Sequence, residues 1–265
     1  MTEIEVDVVI PPPRPVMGRK LPRRESAILL IATSERRLGD TSIKTGAWAE
    51  TLAEPYYTFR KKGYAVAFAS VAGGPIPIDP YSLSPPIMKN HVIKSFMYDK
   101  EAQYAMSKSL PVAIADPEEY VAIFIAGGHG IAWDGPFNPE LRRLIEDAYK
   151  QRKLIAAVDH GPAALVHAIN RREEDPDYGT PILARKQVTG ISDSEEEAMG
   201  RADLVPFLLE DRIREIDGIY VRNLRDWDTF AVRTSQIITG QNAASSKETA
   251  DAVVDALSFG VRLTP

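Results

Sequence analysis

Short apolar runs separated by polar, turn-forming stretches are the first feature of this sequence. Five of them have the length of strands, at residues 27–32, 64–70, 120–126, 154–158 and 187–191. Their continuous apolar character, without strict alternation, is typical of strands that are covered on both faces. Later segments with strand composition lie at residues 218–222, 230–234 and 236–239.

Segments with helical periodicity lie between these runs. The clearest cover residues 45–62, 138–152 and 162–170, and another closes the chain from about residue 245 to residue 259. Asn138 followed by Pro139 is the expected N-cap and first residue of one helix. The alternation of strands and helices predicts an α/β fold with a mostly parallel sheet and helices on both faces.

We expect one domain over residues 25–265, preceded by a Pro-rich arm at residues 1–24. The arm's prolines disfavour a helix or a central strand. We expect an extended segment, with residues 9–14 lying as a strap across the body of the protein or across a neighbouring subunit.

Composition then narrows the function classes. The 265 residues are 44% hydrophobic and 26% charged, enough for a full core, and the formal net charge of −5 argues against a nucleic-acid partner. No run approaches the roughly 20 apolar residues of a membrane span, and the N-terminus has no apolar signal core. We therefore expect a cytoplasmic protein without a membrane partner. The absence of cysteine excludes disulfides, thiolate metal ligands and a thiol nucleophile.

Two strand-to-helix turns are candidate sites, because open parallel sheets bind ligands beyond the carboxyl ends of their strands. At residues 158–162, Val-Asp-His-Gly-Pro, a strand stops at one polar residue and a helix follows at once. This is the pattern of a nucleophile elbow, with Asp159 as the projected side chain. Taken alone, the motif fits an ordinary Asp N-cap better.

The second turn is Ala-Gly-Gly-His-Gly at residues 126–130. Gly127 and Gly128 either supply backbone donors to an anion or carbonyl oxygen, or serve only tight turning. We expect His129 to be a structural or rim residue and Trp133 to close one wall of a pocket. A single Glu on a helix is usually exposed to solvent, and the sequence alone gives no reason to treat Glu50 differently. The same holds for the acidic run at 195–197.

Several motifs in order resemble the DJ-1/PfpI superfamily, and more narrowly its glyoxalase III and heat-shock-chaperone-like branch, which has a class I glutamine amidotransferase-like fold. They lie at residues 45–57, 77–80, 127–134, 156–165, 195–211 and 238–246. The resemblance covers the chain from about residue 26 onward. It implies a flavodoxin-like three-layer sandwich, a homodimer, and a reactive Cys at the elbow followed by His, with a Glu from the first helix nearby.

Carried over by motif, that Glu is Glu50 and the His is His160. The acidic partner that orients the His falls at Glu196, with Glu195 as the alternative. The position of the Cys is occupied by Asp159, a departure from the thiol-dependent attack on an aldehyde that the family uses. A second departure is Ala243, where the family usually has Pro, which we expect to be peripheral.

Two explanations of Asp159 stay open on the sequence. A carboxylate resembles a sulfinate in charge and shape, so Asp159 could be an engineered imitation of an oxidised cysteine. The explanation we favour is natural divergence toward acid–base chemistry.

The favoured hypothesis is a cofactor-independent lyase, hydratase or isomerase without a metal, acting on a small carbonyl-containing molecule. Asp159 and Glu50 would share a proton, with His160 as a shuttle, since two close carboxylates resist double ionisation. The alternatives are a glyoxalase III, converting methylglyoxal to lactate, whose Cys was replaced, and a noncatalytic chaperone or stress-response protein. Hydrolysis through a covalent Asp159 ester ranks last. Trp48, Tyr56 and Tyr57 fit a pocket wall and core packing equally well.

Overall fold

The computed structural model describes residues 27–258, and its centre is a mostly parallel sheet. The strands are β1 (Ala27–Ala32), β2 (Ala65–Ser70), β3 (Leu110–Pro111), β4 (Ala122–Ile125), β5 (Leu154–Val158), β6 (Gln187–Val188), β7 (Ile219–Tyr220), β8 (Ala231–Thr234) and β9 (Ile237–Gly240). Seven of them form one sheet in the order β3-β2-β1-β4-β5-β9-β8, and β6 and β7 form a separate pair. Within the large sheet only β8 runs antiparallel to its neighbour.

Helices cover both faces of this sheet, as predicted. They are α1 (Ala49–Lys61), α2 (His91–Tyr98), α3 (Lys100–Ser107), α4 (Gly130–Asp134), α5 (Pro139–Lys150), α6 (Asp193–Ala198), α7 (Leu209–Glu215) and α8 (Ser246–Ser258). Leu30 of β1 packs in the cluster that contains α1 and α8, whereas its neighbour Leu29 packs in the cluster that contains α5. Alternate residues of the buried strands thus pack into two hydrophobic cores, one on each face of the sheet, which confirms the three-layer α/β sandwich.

The first helix begins later than its pattern predicts, and the reason bears on the site. The backbone N–H of Ala47 donates to Pro77 O at 2.8 Å, and that of Trp48 donates to Gly127 O at 3.0 Å. Residues 45–48 are therefore held by other loops, and α1 starts at Ala49. This anchoring brings the first turn of α1 to the turn that follows β4.

Three other predictions need correction. The helix expected at 162–170 is only a short 3-10 helix, Gly161–Leu165, and beyond it the N–H of Ile169 donates to the Glu146 carboxylate at 3.0 Å instead of continuing a helix. The strands expected at 187–191 and 218–222 pair with each other outside the large sheet. Helices α2 and α3 were not predicted. In contrast, Asn138 caps α5 as expected, accepting from the N–H of Leu141 at 2.8 Å.

The Pro-rich arm at 1–24, its strap at 9–14 and residue 259 lie outside the described residues. Among residues 27–258, no helix combines the length and the apolar character that crossing a membrane requires. The homodimer stays a prediction.

Candidate active site

Asp159 occupies a sharp turn directly after β5. Its φ of +62° is in the left-handed region, which is unusual for a residue with a side chain. The turn is held on both sides, because the Asp159 N–H donates to Gly240 O at 3.0 Å and its carbonyl accepts from Ile191 N–H at 3.0 Å. The helix that follows has His160 as its N-cap, without a side-chain capping bond. Asp159 is therefore the projected residue of an elbow and not an N-cap.

The turn after β4 faces the Asp159 carboxylate. The N–H of Gly128 donates to Asp159 Oδ2 at 2.6 Å. A Cβ atom on Gly127 would overlap the same carboxylate, so glycine is required there by close approach. The expected backbone donor exists, and the anion that it binds is the side chain of the protein itself.

A chain of buried polar side chains continues from Asp159. His160 Nδ1 lies 3.2 Å from Asp159 Oδ2, and His160 Nε2 lies 2.7 Å from Glu196 Oε2. The other oxygen of Glu196 contacts His129 Nε2 at 2.8 Å, and Arg201 Nη1 donates to His129 Nδ1 at 2.9 Å. Asp159, His160, Glu196 and His129 are all at most 6% exposed.

Hydrogen-bond roles fix the protonation of both rings. Arginine only donates, so Nδ1 of His129 must accept and its Nε2–H donates to Glu196, which makes His129 neutral. Burial and the nearby charge of His160 lower the pKa of His129, in agreement. Both nitrogens of His160 face carboxylates, so both donate and the ring is an imidazolium.

The three central charges stabilise one another. Burial alone would lower the pKa of His160, but the negative charges of Asp159 and Glu196 outweigh it and raise that pKa to about 10. Burial would likewise raise the pKa values of Asp159 and Glu196, yet the charge of His160 brings both below their usual range. Asp159 is therefore ionised at neutral pH. Its Oδ2 receives the hydrogen bonds of Gly128 and His160, and the carboxylate lines a cavity.

Glu50, the second residue of α1, lines the same cavity as Asp159. Its Oε1 accepts from Asn90 Nδ2 at 3.3 Å. Burial, the charge of Glu54 and the charge of Asp159 together raise the pKa of Glu50 to about 7. If the two carboxyl groups hold one proton between them, that proton lies on Glu50.

The structure also separates the two acidic candidates on α6. Glu196 orients His160, as the first choice from the motif predicts. Glu195 points elsewhere and is fully buried. Its Oε1 accepts from the N–H of Trp227 at 2.8 Å and from Asn242 Nδ2 at 2.8 Å, so it holds together two loops that wall the cavity.

The cavity above Asp159 has a volume of about 210 Å³. Its polar wall consists of Glu50, His129, Asp159, His160 and Asn242. Its apolar wall consists of Trp48, Ile87, Ile191, Met199, Trp227, Ala243 and Ala244.

Two expectations about this wall were wrong. Trp133 does not line the cavity; it packs against the core and beside Gly39. Ala243 is not peripheral, because it lines the cavity directly. Tyr56 is buried in the core, and Tyr57 donates to Asp99 Oδ2 at 3.1 Å, so for both of them core packing is the correct interpretation.

Sequence reasoning missed Arg201, Trp227 and Met199. Arg201 follows the acidic run on α6, and its contact with His129 joins segments 72 residues apart. Trp227 has a φ of +68° in a polar loop without a helix or strand signal. No local pattern identifies Arg201 or Trp227 as part of the site.

His129, His160 and Glu196 are residues of metal-ligating type, and their ligand atoms lie within 4.8 Å of one another. In the arrangement described, Nε2 of each ring is bonded to Glu196. A metal ion at this place would have to displace both of these protons.

Comparison with known proteins identifies the family of this chain. No protein-family model matches the chain. It is 30% identical over 218 residues to glyoxalase 3 of Candida albicans, which covers 80% of this chain and 90% of that protein. The crystal structure of glyoxalase III from Candida albicans has a TM-score of 0.77 at 27% identity, covering 88% of this chain and 98% of that one. The Francisella tularensis rapid encystment protein of 24 kDa has a TM-score of 0.81 at 34% identity, covering 88% and 99%. With the ordered motifs and the elbow, these similarities show that the chain belongs to the DJ-1/PfpI superfamily, in its glyoxalase III branch.

Proposed function

We propose that this protein is an isomerising enzyme for small 2-oxoaldehydes, which it converts as their hydrates to 2-hydroxy acids by proton transfer without a thiol. The observation that carries the proposal is Glu50, whose pKa is raised to about 7 beside the fixed carboxylate of Asp159. A group with a pKa near the working pH is the most effective proton carrier. The names of the relatives, glyoxalase 3 and glyoxalase III, support the substrate class.

In the first step, the substrate is R–CO–CH(OH)₂, the form that a 2-oxoaldehyde takes when water adds to its aldehyde carbon. The hydrogen at C1 is acidic because it is next to the ketone at C2. Ionised Glu50 removes this proton, and the electron pair of the C–H bond forms a C1–C2 double bond as the C2 oxygen becomes negative.

In the second step, a proton of one C1 hydroxyl passes to the C2 oxygen, with Asp159 Oδ1 as acceptor and relay. Glu50 then returns its proton to C2, and the product is R–CHOH–COOH. Atoms and electrons balance without an oxidant or a reductant, since the hydrate and the acid are isomers.

His160 and Glu196 act indirectly in this scheme. Together with the Gly128 N–H, the imidazolium of His160 keeps Asp159 ionised and fixes its Oδ2. Burial, the charge of Glu54 and the charge of Asp159 in turn raise the pKa of Glu50. The carboxylate thus serves as a negative charge beside Glu50 and as a transient proton relay, roles that fit it better than attack on a carbonyl carbon.

The test is turnover of methylglyoxal to lactate, followed by NMR, in the wild type, Glu50→Gln and Asp159→Asn. Both substitutions keep the size of the side chain and remove proton exchange, so we expect each to lower kcat by at least about 100-fold. Glu248→Gln, an exposed carboxylate in the first turn of α8, is the matched control and should retain wild-type turnover. Wild-type rates in Glu50→Gln would refute the proposal.

A further inference from the structure

A second, larger cavity adjoins the one above Asp159. Its volume is about 510 Å³, and it shares Trp48, Ile87, Met199 and Trp227 with the inner cavity. The two cavities are therefore adjacent, with these four residues lining both of them.

Among residues 27–258, Arg201 is the one charged side chain that lines the outer cavity. The other residues are aromatic or aliphatic, with the rings of Trp48 and Tyr81 at a centroid distance of 6.0 Å. Such walls suit a flat or aliphatic body, and a guanidinium among them suits an anionic group through those of its N–H donors that the protein leaves unused.

The hydrogen bonds of Arg201 leave donors available. Its Nη1 donates to His129 and forms a salt bridge with the buried Asp79, at 3.6 Å from Oδ2. Asp79 already accepts from the Thr45 hydroxyl at 3.1 Å and from the Tyr81 N–H at 2.8 Å. Within residues 27–258, Nε and Nη2 of Arg201 have no protein partner, and neither is sealed from solvent. The side chain is 18% exposed.

The charges of the inner cavity favour the same orientation. Asp159 is ionised, and Glu50 is ionised whenever it acts as a base, so an anionic group is repelled from the inner cavity. The fork of Arg201 offers two N–H donors in the geometry that carboxylates and phosphates accept.

We propose that the outer cavity binds the anionic end of the substrate through Arg201, while the carbonyl end lies between Glu50 and Asp159. This rests on the proposed function and deepens it, because it makes the substrate class a carbonyl compound that carries a carboxylate or phosphate a few bonds from the reacting carbon. Arg201 is then a specificity-determining residue.

The experiment is a binding titration that does not depend on turnover. Trp48 and Trp227 line the cavity, so ligand binding is measured by tryptophan fluorescence. The probes are laevulinate against its uncharged methyl ester, and dihydroxyacetone phosphate against dihydroxyacetone. We expect the wild type to bind at least one charged probe about tenfold or more tightly than its neutral partner. The pair that shows the preference distinguishes a carboxylate from a phosphate.

Arg201→Gln should abolish this preference, and Arg201→Lys, which keeps the charge without the fork, should retain part of it. Comparing charged with neutral probes separates loss of recognition from a general disturbance of the cavity, which would weaken both. If Arg201→Gln does not fold, Arg201→Lys provides the test. A preference for the charged probe in Arg201→Lys as large as that of the wild type would count against the forked contact.

Arg36→Gln is the matched control, because Arg36 lines a separate cation-lined cavity with Arg37 and Lys44. Equal binding of charged and neutral probes by the wild type would overturn the inference, as would a preference that survives in Arg201→Gln or disappears in Arg36→Gln. Charge-selective binding through Arg201 in a protein that isomerises neither methylglyoxal nor an anionic 2-oxoaldehyde would refute the proposed function and leave this inference standing.

Discussion

Replacing Glu50 with Gln should stabilise the protein against unfolding, and by more as the pH rises. The pKa of this carboxyl is raised from 4.5 to about 7 in the folded protein, so between these values the folded state binds more protons than the unfolded chain. Stability contributed by the neutral carboxyl is therefore lost as the pH rises through this window. From the two pKa values, the cost of ionising Glu50 is about 1 kcal/mol at pH 5 and about 3 kcal/mol at pH 8. Glutamine avoids this cost.

The assay is urea unfolding of the wild type and Glu50→Gln at pH 5 and pH 8, with free energies from linear extrapolation. The stabilisation by Gln should be about 2 kcal/mol larger at pH 8 than at pH 5. Glu248→Gln makes the same chemical change on an exposed helical turn and should show a difference of less than about 1 kcal/mol, equal at both pH values. An equal effect of Glu50→Gln at pH 5 and pH 8 would refute the burial argument for this carboxyl.

The remaining predictions concern the elbow and its support. The kcat for methylglyoxal should rise with pH through about 7, because Glu50 must be ionised to act as a base; a flat profile would contradict that role. Asp159→Cys should increase lactate formation over the wild type, since a thiolate adds to an aldehyde and the positions of Glu50 and His160 are occupied as the family requires. Glu196→Gln should destabilise the fold by about 3 kcal/mol in urea unfolding at pH 7, because it leaves the buried His160 imidazolium with one carboxylate fewer. Gly127→Ala should cost about 1–3 kcal/mol in the same assay, because the added methyl group overlaps the Asp159 carboxylate.

The central strands were predictable because they are buried on both faces. Residues 27–32 and 154–158 are continuous apolar runs, and β1 and β5 coincide with them. The runs at 187–191 and 218–222 have similar composition, yet only β6 and β7 form there, in a separate pair. The residue composition of a segment indicates that it can form a strand. The position of that strand in a sheet depends on contacts between distant segments.

The site residues that directly follow a strand were predictable, because a single turn fixes their position. Asp159, His160 and the glycines at 127 and 128 follow from the strand ends, and Glu50 and Glu196 follow from the family's motifs. Sequence alone left Glu195 as an alternative, because neighbours on a helix differ by a third of a turn or less and spacing does not decide which one faces the cavity. Arg201 and Trp227 lie in loops, and their place in the site depends on tertiary contacts that no local pattern contains.

The environment of residue 159 explains why a carboxylate is stable at a position where the family has a thiol. The elbow presents the Gly128 N–H and the His160 imidazolium to this side chain, and both stabilise an anion whatever its chemical identity. A thiolate in this environment would be activated as a nucleophile. A carboxylate is only held in its charged form, so the same groups that serve covalent catalysis in a thiol enzyme here create a fixed negative charge beside Glu50. Burial of Glu50, the charge of Glu54 and this fixed charge of Asp159 together raise the pKa of Glu50 to about 7, so the carboxylate at the elbow is one of three contributions to that pKa.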